Sequence, residues 1–276
     1  MDTLKEPGLS GGFSIRDLEM LLDGKDMVQE LHRHDFFYLL ALKKGSGSHS
    51  VDFVQHDIVD HAVFIMRPGQ VHQLELKAGS IGYLMQFRTD FYQPGDKPST
   101  QLLRRACSVN HYRFDAAVFQ ELLAVLDSVH HEYTDRKQHY QEAIRSHLSV
   151  FFIGLARQAG NCFSGKINPY MQERLEAFLE LLETHVYEHK QVAEYAAMMN
   201  LSVYQLNAII KAALGKTCSD LISEYMILEA KRYLLATSDQ VVQVADMLGY
   251  EDASYFTRFF KKHTGYSPEA FRQNSR

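Results

Sequence analysis

Three histidines near the N-terminus have the residue type and the spacing of a metal site. His32 and His34 stand in "HRHD", and His72 closes "PGQVH". If the first two lie on one strand, their imidazoles point to the same face, because side-chain direction repeats every two residues along a strand. Three neutral imidazoles can bind zinc or iron. Coordination of a transition metal is therefore the first chemistry to consider.

The residues that follow the second histidine argue against a metal. In a small β-barrel of the cupin type, such a triad would need a carboxylate a few residues further on. This chain has the apolar and aromatic stretch Phe36 to Leu39 there. Asp35 is adjacent to His34 and would point to the opposite face. We therefore expect no metal and no other cofactor.

A family resemblance, carried by the C-terminal residues described below, implies that the barrel interior is a pocket for a small-molecule effector. Such pockets are lined by aromatic side chains with a few convergent polar groups. The predicted effector-binding residues are His32, His34, Tyr38, Lys44, His72, Tyr83 and Gln86. Three further histidines are expected on the surface: His49, His56 and His61.

A second stretch, near the C-terminus, combines aromatic and basic residues at helical spacing. "SYFTRFFKKHTGYSP" runs from Ser254 to Pro268 in a chain whose formal net charge is −5 at pH 7. On a helix, an inner apolar stripe is expected from Phe256, Phe259 and Phe260. The basic side chains would then project outward: Arg258, Lys261 and Lys262. Because the chain is acidic overall, a nucleic acid partner requires positive charge that is local.

Length and composition bound the class of protein. The chain has 276 residues, which favours two ordinary domains. No stretch approaches about 18 uncharged apolar residues, so we expect no membrane span, and the N-terminus lacks an apolar signal core. The cysteines are sparse, far apart and without metal-type spacing, which suits reduced thiols and a cytoplasmic location: Cys107, Cys162 and Cys218.

The period of the apolar residues changes along the chain. Short apolar runs at intervals of roughly ten residues in the first third are typical of an all-β barrel or sandwich. From about Ala116 the period becomes helical, with stripes from Phe119 to Tyr133 and from Ile144 to Leu155. These two helices either cover the open face of the barrel or use a second stripe for self-association. Gln158 to Pro169 breaks the pattern and is predicted to be a linker.

The last third of the chain contains an internal repeat. Val192 to Thr217 and Val241 to Pro268 match at a shift of 49 residues before a turn and 50 after it. In each copy a short helix reaches a residue that tolerates left-handed backbone angles, Asn200 or Gly249. A capping residue and a second helix with an apolar inner stripe follow. Each copy is predicted to be a helix-turn-helix unit.

The caps and the connecting segment support this interpretation. Ser202 with Gln205 predicts a capping box, and Asp252 stands in the equivalent place of the second copy. The inner stripe of the first copy is predicted to be Leu206, Ile209 and Ile210. Leu221 to Thr237 is predicted to be an amphipathic helix about 26 Å long. A rod of that length can place the two second helices in successive major grooves of DNA, about 34 Å apart.

The stretch "LGYEDASYFTRFFKKHTGYSPEAFR" resembles the C-terminal signature of the AraC-type transcriptional regulators nearly residue for residue. The resemblance covers about Tyr170 to Arg272, and "AEYAAMMNLSVYQLNAIIKAALGKT" and "ILEAKRYLL" match more loosely. It implies an N-terminal ligand-sensing barrel and binding to double-stranded DNA. We also expect a homodimer through the N-terminal domain and consider RNA polymerase as a further partner.

The resemblance also implies which residues contact DNA. The outward residues early in each second helix would read bases, namely Tyr204, Asn207, Ala208, Ala253, Ser254, Thr257 and Arg258. Ala208 stands where the family often has a basic residue. The predicted DNA-binding set is completed by Ser202, Gln205, Lys211, Lys261 and Lys262.

Together these inferences predict an α+β protein of two domains. Residues 1–160 form a cupin-like β-barrel with a helix pair, residues 161–169 a linker, and residues 170–276 an all-α domain with two helix-turn-helix units joined by a linker helix. From Tyr170 onward, eleven Lys and Arg stand against fourteen Asp and Glu, a net of −3. DNA binding should therefore depend on a focused face and on dimer avidity.

The leading hypothesis is a sequence-specific transcriptional regulator, not an enzyme, that a small-molecule effector controls through the barrel. The alternative is a cupin-type metalloenzyme fused to a DNA-binding module, which His32, His34 and His72 motivate. A third hypothesis, a sensor that acts by protein contact alone, leaves the outward basic residues of the second copy unexplained.

Overall fold

Short runs with buried residues on one or both faces form the strands of the N-terminal part of the chain. The computed structural model describes residues 3–9, 11–93, 95, 97–163 and 168–274. The strands are β1 (Phe13–Asp17), β2 (Met27–Arg33), β3 (Phe37–Lys44), β4 (Gly47–Val51), β5 (Val54–Ile58), β6 (Ala62–Met66), β7 (Val71–Leu76), β8 (Ile81–Phe87) and β9 (His111–Arg113). The helices of this part are α1 (Leu18–Leu22), α2 (Lys97–Ala106), α3 (Ala116–Asp135) and α4 (Tyr140–Phe163).

The strands form two antiparallel sheets that share a core. One sheet has the order β1-β8-β3-β6-β9, and the other has the order β2-β7-β4-β5. Every residue of β3 from Phe37 to Leu42 is buried. Tyr38 and Leu40 face the core between the two sheets, whereas Leu39 and Ala41 face a second core on the other side. The predicted barrel is thus present as two facing sheets with a filled interior.

Helices α3 and α4 cover the outer side of the five-stranded sheet. Phe119 and Leu126 of α3 and Leu148 and Phe152 of α4 are buried in the same core as Leu39. Of the two roles considered for this helix pair, covering the sheet is confirmed. Self-association through a second stripe stays a prediction.

Two helices of the N-terminal part were not predicted. α1 has five residues and is capped by Asp17, whose side chain accepts a hydrogen bond from the backbone N–H of Met20 at 3.0 Å. α2 is rich in polar residues, so its apolar stripe is short. A helix of one turn or with few apolar residues gives a weak periodic signal.

The predicted linker starts too early, at Gln158. Helix α4 continues to Phe163, because Ala156 and Ala159 extend its buried stripe and a helix tolerates one glycine at a cost of about 1 kcal/mol. Residues 164–167 of the predicted linker lie outside the described residues. The chain divides into two compact units, Met1–Cys162 and Phe163–Arg276, and this division falls within the predicted linker.

The second unit is helical throughout its described residues. Its helices are α5 (Pro169–His185), α6 (Val192–Met198), α7 (Val203–Leu214), α8 (Cys218–Ala236), α9 (Val241–Met247), α10 (Ala253–Thr264) and α11 (Pro268–Asn274). α8 starts three residues earlier than predicted, because Thr217 and Asp220 form a capping box at its N-terminus. The α+β class with two domains is confirmed. Among the described residues, no helix has both the length and the apolar character needed to cross a bilayer.

Candidate functional site

The two turns of the C-terminal unit have the backbone angles that the sequence predicted. Asn200 between α6 and α7 has φ of 53°, and Gly249 between α9 and α10 has φ of 70°. A Cβ atom at Gly249 would lie 1.8 Å from the carbonyl oxygen of Tyr187, so this position excludes any side chain on two grounds. Each pair of helices is therefore a helix-turn-helix unit with a defined turn.

The predicted caps set the first turn of each second helix. Ser202 Oγ accepts from the backbone N–H of Gln205 at 3.2 Å, and the Ser202 N–H donates to Gln205 Oε1 at 2.9 Å. In the second unit, the Asp252 carboxylate accepts from the Ser254 N–H at 2.7 Å. These bonds satisfy backbone donors that a helix start otherwise leaves unpaired.

The second helices present one face to the core and the other to solvent. In α7 the inner stripe of Leu206, Ile209 and Ile210 is buried, as predicted. In α10, Phe256 and Phe260 are fully buried. Phe259 is half-buried, with its ring 4.6 Å from the ring of His263 and 5.8 Å from that of Tyr250. The exposed residues of the predicted DNA-binding set are Ser202, Tyr204, Gln205, Ala208, Lys211, Ser254, Arg258, Lys261 and Lys262.

The other three members of the predicted DNA-binding set are half-buried. Asn207 is half-buried: its Nδ2 donates to the carbonyl of Val203 at 3.1 Å, and its Oδ1 accepts from the Cys218 N–H at 3.0 Å, which ties α7 to the start of α8. The Thr257 hydroxyl donates to the carbonyl of Ala253 at 2.9 Å, and both residues are half-buried. A role of these three residues in base contact stays a prediction.

Sequence reasoning overlooked one exposed aromatic residue on α10. Tyr255 is 57% exposed, beside the N-cap residue Asp252 and one turn before Arg258. Tyr204, in the first turn of α7, is 82% exposed. The sequence could have identified Tyr255 as exposed, because it lies outside the inner apolar stripe of α10.

Helix α8 connects the two helix-turn-helix units and carries a buried polar network. The Tyr187 hydroxyl donates to Glu229 Oε2 at 2.7 Å, and the Arg232 guanidinium donates to the other oxygen of that carboxylate. The side chains of Arg232 and Glu229 are 7% and 10% exposed. Burial and the neighbouring Glu229 charge raise the pKa of the Tyr187 hydroxyl, so it stays a proton donor at neutral pH.

Lys190 lies in the loop before α6 and bonds to the turn of the second helix-turn-helix unit. Its Nζ donates to the carbonyls of Tyr187 and Gly249, each at 2.7 Å, and lies 5.0 Å from the centre of the Tyr250 ring. Burial lowers the pKa of this amine. One ammonium thus joins the loop before α6 to the turn before α10.

In the N-terminal unit, the three predicted histidines meet at one point. The Nε2 atoms of His32 and His34 are 2.9 Å apart, and each is 3.1 Å from Nε2 of His72. A carboxylate lies at this point as well, contrary to the sequence argument: Glu6 Oε2 is 3.4, 3.7 and 3.5 Å from the Nε2 atoms of His32, His34 and His72. Glu6 was overlooked because a carboxylate was expected a few residues after His34, whereas Glu6 precedes the histidines.

The ionisation of this cluster follows from burial and from mutual contact. Burial raises the pKa of the Glu6 carboxyl, and its interactions with His32 and His34 outweigh that effect and lower the pKa to about 2. Burial lowers the pKa of His72 to about 2, with Glu6 opposing the change. The pKa of His32 is raised, because Glu6 and the carbonyl of Glu30 outweigh its burial.

His49 was predicted on the surface, and that prediction is wrong. It is fully buried, and its Nε2 lies 2.9 Å from Nδ1 of His72. Burial lowers the pKa of His49 to about 3, and the charges of nearby histidines add to this. Strand β4 alternates inward and outward, and His49 falls on the same face as the buried Val51, which is the pattern that could have placed it.

The predicted effector-binding residues do not all converge. Tyr38 lies beside the histidine cluster, with its ring 5.0 Å from that of His72, and Gln86 is its register partner on β8. Tyr83 points to the opposite face of the five-stranded sheet, where its hydroxyl donates to Asp127 at 2.8 Å. Lys44 is exposed at the end of β3, because the strand runs past the core there.

An open cavity of about 560 Å³ lies on the helix side of the N-terminal unit, between β1, α1 and α3. Its lining includes Ile15, Arg16, Met20, His130, Tyr133 and Arg136. None of the predicted effector-binding residues lines it.

Comparison with known proteins agrees with the two helix-turn-helix units. A family model described as a helix-turn-helix domain matches residues 195–274. The activator RhaR of Mannheimia succiniciproducens is 22% identical over 249 residues, which cover 88% of this chain and 86% of the relative. The activator RhaS of Pectobacterium atrosepticum is 22% identical over 255 residues, which cover 88% of each chain.

Similar solved structures include the unsaturated fatty acid bound ToxT of Vibrio cholerae. It is 14% identical, has a TM-score of 0.42 and covers 97% of each chain. The C-terminal domain of the response regulator YesN of Fusobacterium nucleatum is 24% identical, with a TM-score of 0.34, and covers 36% of this chain and 98% of that one.

The similar curated proteins are transcriptional activators and not enzymes. Their match spans both units of this chain, and the helix-turn-helix match falls on the duplicated helices that carry the turns, caps and exposed faces described above. The chain is thus similar to the AraC-type family of helix-turn-helix transcriptional regulators.

Proposed function

We propose that this protein is a sequence-specific, DNA-binding transcriptional activator whose α7 and α10 enter successive major grooves of one operator. The observation that carries the proposal is the pair of capped second helices, each with an exposed outer face, held on the common helix α8. A helix-turn-helix unit reads DNA through the N-terminal residues of its second helix. The activator role is suggested by the similarity to RhaR and RhaS.

Different residues of α10 are suited to different contacts. Ser254 and Arg258 lie in its first half, where a side chain reaches base edges, and an arginine can donate two hydrogen bonds to one guanine. Lys261 and Lys262 lie in its second half and suit phosphate oxygens, which position the protein without reading sequence. On α7 the exposed Tyr204 and Lys211 are the corresponding candidates.

The charge of the C-terminal unit makes non-specific binding weak. Four of the fourteen acidic residues from Tyr170 onward lie on α5, at Glu173, Glu176, Glu180 and Glu183, whereas three of the eleven basic residues in the same range lie on α10. Attraction to phosphates is thus confined to a small face. We expect a homodimer to supply the remaining affinity through two linked DNA contacts.

Control by a small molecule is part of the proposal. The N-terminal unit offers the polar cluster around His32, His34 and Tyr38 and the separate open cavity beside Tyr133. An effector acts only if it binds two arrangements of the protein with different affinity.

The test is fluorescence anisotropy with labelled duplexes from the chain's own promoter region. We expect salt-dependent binding that unlabelled random DNA does not abolish. Arg258→Ala should weaken binding to the specific duplex by about 1–3 kcal/mol and relax preference at one base pair, if Arg258 donates twice to a guanine. Lys261→Ala should weaken all duplexes alike and reduce the slope of log K against log salt by about 1.

Arg88→Ala is the matched control, because it removes the same charge from an exposed position of the N-terminal unit. It should bind both duplexes as the unchanged protein does. Absence of competitor-resistant binding to any promoter duplex, with and without cell extract, would contradict the proposed function.

A further inference from the structure

We propose that Glu6, His32, His34 and His72 form a binding site for one divalent transition metal ion, with zinc as the best match. These residues are the first of two groups of His, Cys, Asp and Glu side chains, among the described residues, whose ligand atoms lie within 4.8 Å of one another. The site goes beyond the regulatory function, because nothing in DNA binding requires it.

The spacing of the four ligand atoms is that of a tetrahedral ion. The six distances between Glu6 Oε2 and the three Nε2 atoms range from 2.9 to 3.7 Å. An ion that binds four ligands at about 2.0–2.1 Å in tetrahedral geometry separates them by about 3.3–3.4 Å. The four atoms therefore already stand near the corners that zinc prefers.

The polar atoms at this point do not satisfy one another. The side chain of Glu6 is 3% exposed, and neither of its carboxylate oxygens has a hydrogen bond among the described residues. Each imidazole Nε2 carries either one proton or one lone pair, so three such atoms at mutual distances of about 3 Å cannot all pair. A cation at the centre would accept all three lone pairs and neutralise the carboxylate.

The outer nitrogens of two histidines are held so that Nε2 is the free ligand atom. His32 Nδ1 lies 2.8 Å from the carbonyl of Glu30, which can only accept, so Nδ1 carries the proton. His72 Nδ1 lies 2.9 Å from His49 Nε2, which can accept its proton. Hydrogen bonds of this kind to the second nitrogen fix the ring and the tautomer of metal-binding histidines.

The ligand types select the class of metal. Three imidazoles and one carboxylate suit zinc and its first-row neighbours, whereas calcium and magnesium prefer sites made of oxygen ligands. Four protein ligands form a closed shell, which is typical of a structural ion rather than a catalytic one.

A metal here would fasten the N-terminal segment to the sheets. Backbone hydrogen bonds already join Leu4 to Asp26 and Val28, at 2.8 and 2.9 Å. Gln86 Nε2 donates to the carbonyl of Pro7 at 2.9 Å. Glu6 lies between these anchors and supplies the ligand from this segment, so loss of the ion would release the segment from His32, His34 and His72.

The test uses the full chain, purified without a histidine tag, stripped with a chelator and supplied with Co²⁺ as a coloured substitute for Zn²⁺. We expect one equivalent of Co²⁺ to give the intense visible absorption of tetrahedral cobalt, and Zn²⁺ to displace it. His72→Ala should abolish the absorption. Glu6→Gln keeps the size of the side chain, and it should weaken Co²⁺ binding by at least about tenfold.

His185→Ala is the matched control, because His185 belongs to the second group, with Glu188 and His189, on a less buried surface of the other unit. Its absorption should equal that of the unchanged chain. Circular dichroism at the same concentration checks that each variant is folded. If His72→Ala is not folded, the Co²⁺ affinity of Glu6→Gln decides the test. No tetrahedral absorption in the unchanged chain, or equal Co²⁺ affinity in Glu6→Gln, would overturn the proposal.

Discussion

At the scale of single residues, Gly249 shows how a turn is determined by two separate constraints. Its positive φ favours glycine because other residues carry a Cβ that strains this backbone region. The nearby carbonyl of Tyr187 excludes a Cβ for a different reason, direct overlap. Gly265, at the end of α10, has φ of 83° and no neighbouring atom within 4 Å of an added Cβ. A comparison of the two glycines therefore separates the cost of the positive φ from the cost of the overlap with the Tyr187 carbonyl.

We predict that Gly265→Ala lowers the free energy of unfolding by about 1–2 kcal/mol, the cost of a left-handed alanine. Gly249→Ala carries the same strain together with the overlap, so its loss should exceed that of Gly265→Ala by about 2 kcal/mol or more. Urea unfolding followed by far-ultraviolet circular dichroism measures both. Equal losses would mean that the Tyr187 carbonyl moves aside freely.

The structural role of a residue could be predicted where a local sequence pattern determines that role. Asn200, Ser202 and Asp252 have the predicted turn and capping roles, because each depends on neighbours within a few positions. Glu6 could not be predicted, since its contact with His32 and His72 depends on how the N-terminal segment lies across the sheets. Asn207 faces inward because α8 begins beside it, which the spacing within α7 does not reveal.

At the scale of elements, α8 is the helix on which both helix-turn-helix units depend. It buries Met226, Ala230 and Leu234 in the core that also holds Phe256 and Phe260. It buries the Glu229–Arg232 pair as well, and a charge left alone in such a place is costly. An exposed ion pair joins Glu224 of this helix to Lys216, which precedes the helix: Lys216 Nζ lies 2.6 Å from Glu224 Oε2.

We predict that Arg232→Met lowers the free energy of unfolding by about 3–5 kcal/mol, because Glu229 is left buried without its partner. The double variant Glu229→Met with Arg232→Met should lose less than the sum of the single losses. The exposed pair is the control, and Lys216→Met should cost about 0–1 kcal/mol. A double-mutant cycle by urea unfolding gives these values, and additive losses would show that the buried pair is not coupled.

Whole elements were predictable where their period was long and regular. The stripes of α3, α4, α7 and α10 run over three or more turns, and all four helices are present. α1 and α2 were overlooked because one is a single turn and the other has few apolar residues. The start of α8 at Cys218 depends on the side-chain cap from Thr217 to Asp220, which extends the helix beyond its apolar stripe.

At the scale of the whole molecule, the change from strand to helix periodicity predicted an α+β chain of two units, and each unit has its own buried cores. How the strands divide between two sheets depends on pairing between distant segments, such as β3 with β8, which the order of the strands does not determine. The net charge of −3 from Tyr170 onward bears on DNA affinity at this scale.

We predict that residues 168–276 alone bind an operator with two half-sites far more weakly than the full chain does, by about 10²–10⁴-fold at the same salt concentration. The reason is the loss of the second, linked contact in a homodimer. Fluorescence anisotropy measures both affinities, and sedimentation of the full chain at the same concentration reports the dimer. Circular dichroism verifies that the fragment is helical. Equal affinities would show that the N-terminal unit does not contribute by dimerisation.

The position of Lys190 has a practical consequence for chemical labelling. An ammonium has three N–H groups, two of which are used on the carbonyls of Tyr187 and Gly249, whereas an acylated amine keeps a single N–H. Acylation of Lys190 by an amine-directed dye or cross-linker would therefore break at least one hydrogen bond between the loop before α6 and the turn before α10, and a reporter group for binding studies belongs on the DNA.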